Sequence, residues 1–290
     1  MASIKTTQLL LTVCIAISSA TCSIIPSKDE RIKYADRLAS DQNWQRVELN
    51  TSPFKLTAYE AKPYQQNNTL IIYLEGDGFA WRSKRKSAIN PTPINPIGLK
   101  LALHHKNGTA VYLARPCQYS KFTSISPCET RFWTTHRFST EIISSYMQAL
   151  DTLKSKYRSN KFILIGYSGG ASVAALLAIE RNDVARIITV AGNLDHKKWT
   201  DWHKISPLTG SLNPANQNSR LSNIEQTHLV GSEDKIVPPE LTTNFVSQNH
   251  TNPLSKVVII QGQTHHCCWD TIWPNLSIHH QLTFVKQAIE

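Results

Sequence analysis

Lys161-Phe-Ile-Leu-Ile-Gly-Tyr-Ser-Gly-Gly-Ala-Ser-Val-Ala-Ala-Leu-Leu-Ala-Ile179 decides the architecture of this chain. It begins as an apolar, β-branched run, Phe162 to Ile165, of the kind that forms a strand buried on both faces. It ends as a helix-forming run, Ala171 to Ile179. Between them, Gly166-Tyr167-Ser168-Gly169-Gly170 fits the pattern G-x-S-x-G. A serine on a tight turn between a buried strand and a helix has its hydroxyl pushed out at the top of a sheet. Such a turn needs unusual dihedrals and close backbone approach, so glycines flank it. Gly169 opens the helix, so its N–H has no intrahelical partner and is free to bind a developing oxyanion. The pattern alone is weak and has a bland rival, a glycine-rich turn with an idle serine. The strand before it and the helix after it are the context that gives it meaning.

Outward from this stretch, strands and helices alternate. Trp44 to Leu49 and Phe54 to Glu60 alternate apolar and polar, as edge strands of an antiparallel start would. Thr69 to Leu74, Ala110 to Ala114, Ala185 to Val190, Thr227 to Val230 and Lys256 to Ile260 read as further strands. Leu99 to His105, Glu141 to Tyr157, Ala171 to Arg181, Pro239 to Gln248 and Asn275 to Ile289 read as helices. The alternation predicts an α/β fold, a largely parallel sheet covered on both faces. No repeat or linker interrupts it, so residues 23–290 are expected to form a single domain. Residues 193–225 form an insertion that either makes a small cap, through Trp199, Trp202 and Leu208, or packs as ordinary surface.

Two more stretches complete a chemistry around Ser168. Gly231-Ser-Glu-Asp234-Lys-Ile-Val-Pro238 and Gly262-Gln-Thr-His265 each follow a strand, at the sheet end where open α/β sheets build their sites. Ser168, Asp234 and His265 occur in the order Ser, Asp, His, and the roles follow from their chemistry. A serine hydroxyl needs a base to attack at neutral pH. His265 would take its proton and return it to the leaving group. Asp234 would orient the imidazole and stabilise its cation. Glu233 and His266 are the neighbouring rivals, while His104-His105 and His279-His280 read as surface pairs. Glu75-Gly-Asp-Gly-Phe-Ala-Trp81 follows a buried early strand and suits a second oxyanion donor, the backbone N–H of Asp77. It suits a plain β-turn equally.

Composition narrows the setting. The 290 residues are 41% hydrophobic and 18% charged, which excludes a disordered chain. The net charge of +10 is scattered apart from Arg82-Ser-Lys-Arg-Lys86, and no nucleic-acid motif accompanies it. Residues 1–22 read as a signal peptide, with Lys5 ahead of an apolar Leu9–Ile17 and small residues at Ser18-Ser19-Ala20. Ser19-Ala20-Thr21-Cys22 is similar to a bacterial lipobox, so membrane association through a lipidated Cys22 is a second reading, weakened by Thr21. Export places the chain in an oxidising compartment. There Cys117 and Cys128, which bracket a short loop, form a candidate disulfide. Adjacent Cys267 and Cys268 either bridge or stay thiols. The spacing of His265-His-Cys-Cys268 does not suit a zinc site.

Taken together, the sequence resembles the α/β-hydrolase superfamily over about residues 45–290, and more narrowly a group of bacterial exported α/β hydrolases. The resemblance rests on Leu74–Trp81, Pro91–Pro96, Arg115-Pro-Cys-Gln-Tyr119, Gly166–Gly170, Asn193-Leu-Asp195, Ser211-Leu-Asn-Pro214 and His265–Trp269. It implies the α/β-hydrolase fold and a serine-hydrolase apparatus, and little about substrate. One departure is Glu75, where many lipases and esterases carry histidine. It leaves the oxyanion loop among carboxylates, which either disfavour anionic substrates or serve structural hydrogen bonds. The expectation is an exported serine hydrolase, periplasmic, secreted or lipid-anchored at the outer membrane, acting on a small-molecule carboxylic ester through an acyl-enzyme and needing no cofactor. A peptidase or acyltransferase with the same residues, or an inert hydrolase-like envelope binding protein, is the alternative.

Overall fold

The computed structural model describes residues 25–276 apart from 84, 107–108, 121–126 and 249–252, together with 278 and 281. The leader, Cys14, Cys22, His279-His280 and most of the expected last helix lie outside the described residues.

The sheet has eight strands: β1 (Trp44–Leu49), β2 (Leu56–Ala61), β3 (Thr69–Leu74), β6 (Ala110–Leu113), β7 (Lys161–Tyr167), β8 (Val184–Val190), β9 (Glu225–Gly231) and β10 (Ser255–Ile260). Their spatial order is β1-β2-β6-β3-β7-β8-β9-β10. β1 and β2 pair antiparallel, as do β2 and β6; β6 through β10 run parallel. The expectation of two edge strands holds only for β1. β2 sits between β1 and β6 and is buried along its whole length. A separate short hairpin pairs β4 (Trp81–Ser83) with β5 (Lys86–Ser87).

The period of two along the central strands sends alternate residues into two cores. Leu70, Ile72, Leu74, Phe162 and Leu164 face α3 (Thr140–Tyr157) and α4 (Gly169–Glu180). Ile71, Tyr73, Ile163 and Ile165 face the other layer, with α2 (Ile97–Ala102) and the aromatic pair Trp269 and Trp273. His105 belongs to this second core, contrary to the surface expectation. It is fully buried and shares a 2.7 Å hydrogen bond with the Tyr73 hydroxyl. Ahead of β1 lies a helix, α1 (Lys28–Ser40), started by a Ser27–Glu30 capping box.

From β3 the chain passes through α2 to β6 on one side; from β6 it returns through α3 to β7 on the other. That reversal opens a crevice at the C-terminal ends of β3 and β7. The Asp77 loop leaves from one lip and Ser168 from the other.

Candidate active site

Ser168 joins β7 to α4 with φ 50° and ψ −119°, a left-handed conformation costly for a non-glycine residue. Its surroundings over-determine it. The Ser168 N–H donates to the Val190 carbonyl at 2.9 Å, and its own carbonyl accepts from Asn193 at 3.1 Å. A Cβ on Gly166 would lie 2.4 Å from the Gly170 carbonyl oxygen, so the turn closes only with glycine there.

The structure brings Ser168, Asp234 and His265 together from the ends of three strands. His265 Nε2 lies 2.9 Å from Ser168 Oγ, and His265 Nδ1 lies 2.8 Å from Asp234 Oδ2. Asp234 and His265 are buried, while Ser168 is half-buried at the floor of a cleft. Asp234 Oδ1 accepts the N–H groups of Ile236 and Val237, both at 2.8 Å. With one oxygen held by backbone, the other accepts from His265 alone among the described residues. That assigns the proton to Nδ1 and leaves Nε2 to accept from Ser168. The rivals fall away on placement, since Glu233 and His266 are exposed. His266 nevertheless takes part in orientation. The buried Tyr167 hydroxyl donates to the His265 carbonyl at 3.0 Å and meets His266 Nδ1 at 3.1 Å. Burial holds the Tyr167 pKa well above the usual tyrosine range, with Glu75, Asp234 and Asp77 adding to it, so the hydroxyl keeps its proton. Partial desolvation where its ring meets Tyr167, with His265 beside it, lowers the pKa of His266.

Opposite Ser168 lies the Glu75–Trp81 loop. The N–H groups of Asp77 and Gly169 have no partner among the described residues. The loop is pressed against the serine turn: a Cβ on Gly76 would lie 3.2 Å from Ser168 Cβ. A Cβ on Gly170 would lie 2.3 Å from the Leu74 carbonyl oxygen. Its two carboxylates serve hydrogen bonds rather than a negative field. Glu75 is buried and accepts from the N–H groups of Gly76 (3.0 Å), Gly98 (3.1 Å) and Leu99 (3.3 Å) and the Tyr112 hydroxyl (3.0 Å). Burial raises its pKa, against the pull of those four donors. Asp77 accepts from Arg115 Nη1 at 2.9 Å and from Arg137 Nη1. Burial alone would raise its pKa; Arg137 and Arg115 outweigh that and hold it below the usual carboxylate range.

Sequence reasoning missed Arg115 and Arg137, although Arg115 lies in one of the strings behind the resemblance. Two of those strings hydrogen-bond this loop. The Pro91 carbonyl accepts from Phe79 at 3.0 Å, and Gln118 Nε2 donates to the Gly76 carbonyl at 3.1 Å. Asn213 Nδ2 donates to Asp195, whose carboxylate caps α5 (His196–His203). Cys117 and Cys128 are joined, and so are Cys267 and Cys268.

The cleft holds about 540 Å³ and is walled by Phe79, Trp81, Ile94, Trp199, Ile236 and Val237, with Arg137 and the Ser168–His265 pair in its lining. The insertion residues divide. Trp199 lines the cleft, Trp202 is 53% exposed, and Leu208 is buried in the core. Chemically, the arrangement can move a proton from Ser168 to His265 beside two free N–H donors.

The model of the serine hydrolase family FSH1 matches residues 98–267, more than half of the chain. No curated protein matches the chain in sequence. Among solved structures, an esterase of Pyrococcus furiosus is similar at 16% identity and TM-score 0.58, over 85% of this chain and 92% of that one. A putative alpha/beta hydrolase from Agrobacterium tumefaciens is similar at 15% identity and TM-score 0.54, over 82% and 95%. An alpha-beta serine hydrolase homologue from Coxiella burnetii is similar at 16% identity and TM-score 0.51, over 82% and 95%. These likenesses show the α/β-hydrolase fold. With that fold and a family match spanning Ser168, Asp234 and His265, the chain belongs to the FSH1 family of serine hydrolases.

Proposed function

We propose that this serine hydrolase cleaves small carboxylic esters through an acyl-enzyme on Ser168. The observation that carries the reading is the continuous path Asp234–His265–Ser168, with contacts of 2.8 and 2.9 Å, at the floor of a mostly apolar cleft. Ser168 Oγ attacks the ester carbonyl carbon as His265 Nε2 takes its proton. Asp234 stabilises the imidazolium through Nδ1–H. The carbonyl oxygen becomes an oxyanion bound by the N–H groups of Asp77 and Gly169. The intermediate collapses, and the alkoxide leaves with the proton from His265. Water then repeats the sequence on the acyl-enzyme: His265 takes its proton, the acid is released, and Ser168 Oγ recovers its hydrogen.

The substrate bond is tested with matched para-nitrophenyl esters and anilides. Ester turnover, with Asp234→Asn lowering kcat by about a thousandfold to ten-thousandfold, supports the reading. Preference for the anilides points to the peptidase alternative. A folded chain without activity on either points to a binding protein.

We further propose that the chain is exported, with residues 1–22 removed or Cys22 lipidated. The joined Cys117 and Cys128 suit an oxidising compartment. Fractionation with intact-mass measurement of the mature protein tests this; a cytoplasmic chain retaining Met1 would contradict it.

A further inference from the structure

The Glu75–Trp81 loop carries two carboxylates, and packing sets two guanidinium groups against one of them. Asp77 is one anion between two guanidinium groups, Arg115 and Arg137. In direct ion pairs, two cations therefore share one anion. Both arginine side chains are nearly fully buried, 5% and 6% exposed. A guanidinium so desolvated without its own counter-anion is expensive to keep. No other carboxylate among the described residues pairs with either. Glu75 spends its oxygens on Gly76, Gly98, Leu99 and Tyr112. Asp195 accepts the N–H groups of Lys197 and Lys198 and Asn213 Nδ2 on Oδ1, and forms no ion pair with either arginine among the described residues.

The two arginines are not equivalent. Arg115 lies over the Phe138 ring at 5.0 Å, gives Nη2 to the Arg137 carbonyl, and does not line the cleft. Arg137 does line it. Its Nε donates to the Thr134 carbonyl at 2.7 Å and its Nη1 to Asp77. Its Nη2 has no partner among the described residues, and its guanidinium carbon lies 6.0 Å from the centre of the Trp199 ring. The cleft walls around it are largely apolar, which strengthens any charge pairing made there.

We propose that the cleft selects esters bearing one further carboxylate, such as monoesters of dicarboxylic acids, held by the unpaired Nη2 edge of Arg137 beside Trp199. The inference rests on the ester-hydrolase reading above. A carboxylate fits better than a phosphate monoester because the surplus is a single charge. A monoanion cancels it, whereas a dianion would leave a buried negative charge. The planar guanidinium edge also matches a carboxylate in geometry.

The test compares para-nitrophenyl hemiesters of succinic, glutaric and adipic acid with neutral esters of equal length, and adds para-carboxyphenyl butyrate for a carboxylate on the alcohol side. At least one charged ester should exceed its neutral counterpart in kcat/KM by roughly tenfold to a hundredfold, with the margin shrinking as salt rises. Arg137→Gln should slow every ester, because it loosens Asp77, and should also abolish the margin. Arg137→Lys should keep part of it. Neutral esters preferred throughout would overturn the inference. So would equal losses for both classes in Arg137→Gln, which would assign the surplus charge to the oxyanion alone. Calorimetry on Ser168→Ala with monomethyl and dimethyl glutarate reads the preference without turnover. Tighter binding of the monoanion there, alongside a folded wild-type chain that hydrolyses none of these esters, would sustain the charge preference and sink the hydrolase reading. Neutral esters hydrolysed with no charge preference would do the reverse.

Discussion

Gly169→Ala probes the coupling between the serine turn and the Asp77 loop. A Cβ at this position would lie 2.3 Å from Asp77 Oδ1, 2.7 Å from Cγ and 3.0 Å from Oδ2. Ordinary contact begins near 3.4 Å, so the carboxylate or the helix start must retreat by about 1 Å. Asp77 cannot swing away alone, since Arg115 and Arg137 hold both its oxygens. The displacement therefore reaches the Asp77 N–H and the Gly169 N–H together. Misplacement of about 1 Å costs on the order of a hundredfold in rate, and losing one oxyanion donor costs about a hundredfold to a thousandfold. The variant should lose about a hundredfold to a thousandfold in kcat on a para-nitrophenyl ester, with KM nearly unchanged. Overpacking should lower stability by about 1–3 kcal/mol, offset in part by alanine's better helix propensity. Steady-state kinetics and urea unfolding read the two effects. A variant within threefold of wild-type kcat would refute the placement of both donors.

Three further outcomes follow from the same packing. Glu75→Gln turns an amide N–H₂ toward donors now served by carboxylate oxygen, and should cost about 1–3 kcal/mol by denaturant titration while lowering kcat. An unchanged midpoint would contradict the pinning role of Glu75. His228 is fully buried with its pKa pushed down to about 4, through burial, and Nδ1 2.9 Å from Thr189 Oγ1. Above pH ~6.5 it is neutral whether folded or unfolded. As pH falls from there toward 4 only the unfolded chain takes up the proton, so stability drops by roughly 3 kcal/mol. His228→Gln should flatten that slope in unfolding titrations across the range, and a slope equal to wild type would exclude His228 as its source. Reducing the Cys117–Cys128 bridge, which closes a loop of separation 11, should cost about 3 kcal/mol. Melting of wild type and Cys128→Ala with and without reductant measures it, and a reductant effect as large in Cys128→Ala would assign the loss elsewhere.

The strand–turn–helix at Ser168 was legible because each local signal agrees with the others: the β-branched run, the flanking glycines and the alanine-rich helix. Asp234 and His265 were legible because both follow strands at the sheet end where sites form. The choice of Asp234 over Glu233 and His265 over His266 matches burial, since the rejected neighbours face solvent. What surrounds Asp77 was not legible. Arg115 is 38 residues away and Arg137 is 60, and both reach it from a segment without regular pattern. The charge balance at the Asp77 loop was hidden for the same reason: the local sequence places two carboxylates there, and only tertiary packing brings the guanidinium groups. His105 shows a similar limit. A histidine pair looks solvated in sequence, yet the Tyr73 hydroxyl gives His105 a buried partner that no local window reveals.

Intact-mass labelling with a fluorophosphonate addresses the central claim most directly, because that reagent reacts with a serine only when a base activates it. The wild-type chain should take up a single adduct, mapped to Ser168, and Ser168→Ala should take up none. His265→Ala should label far more slowly. A folded wild-type chain that takes up no adduct, or an adduct that persists on Ser168→Ala, would contradict the account.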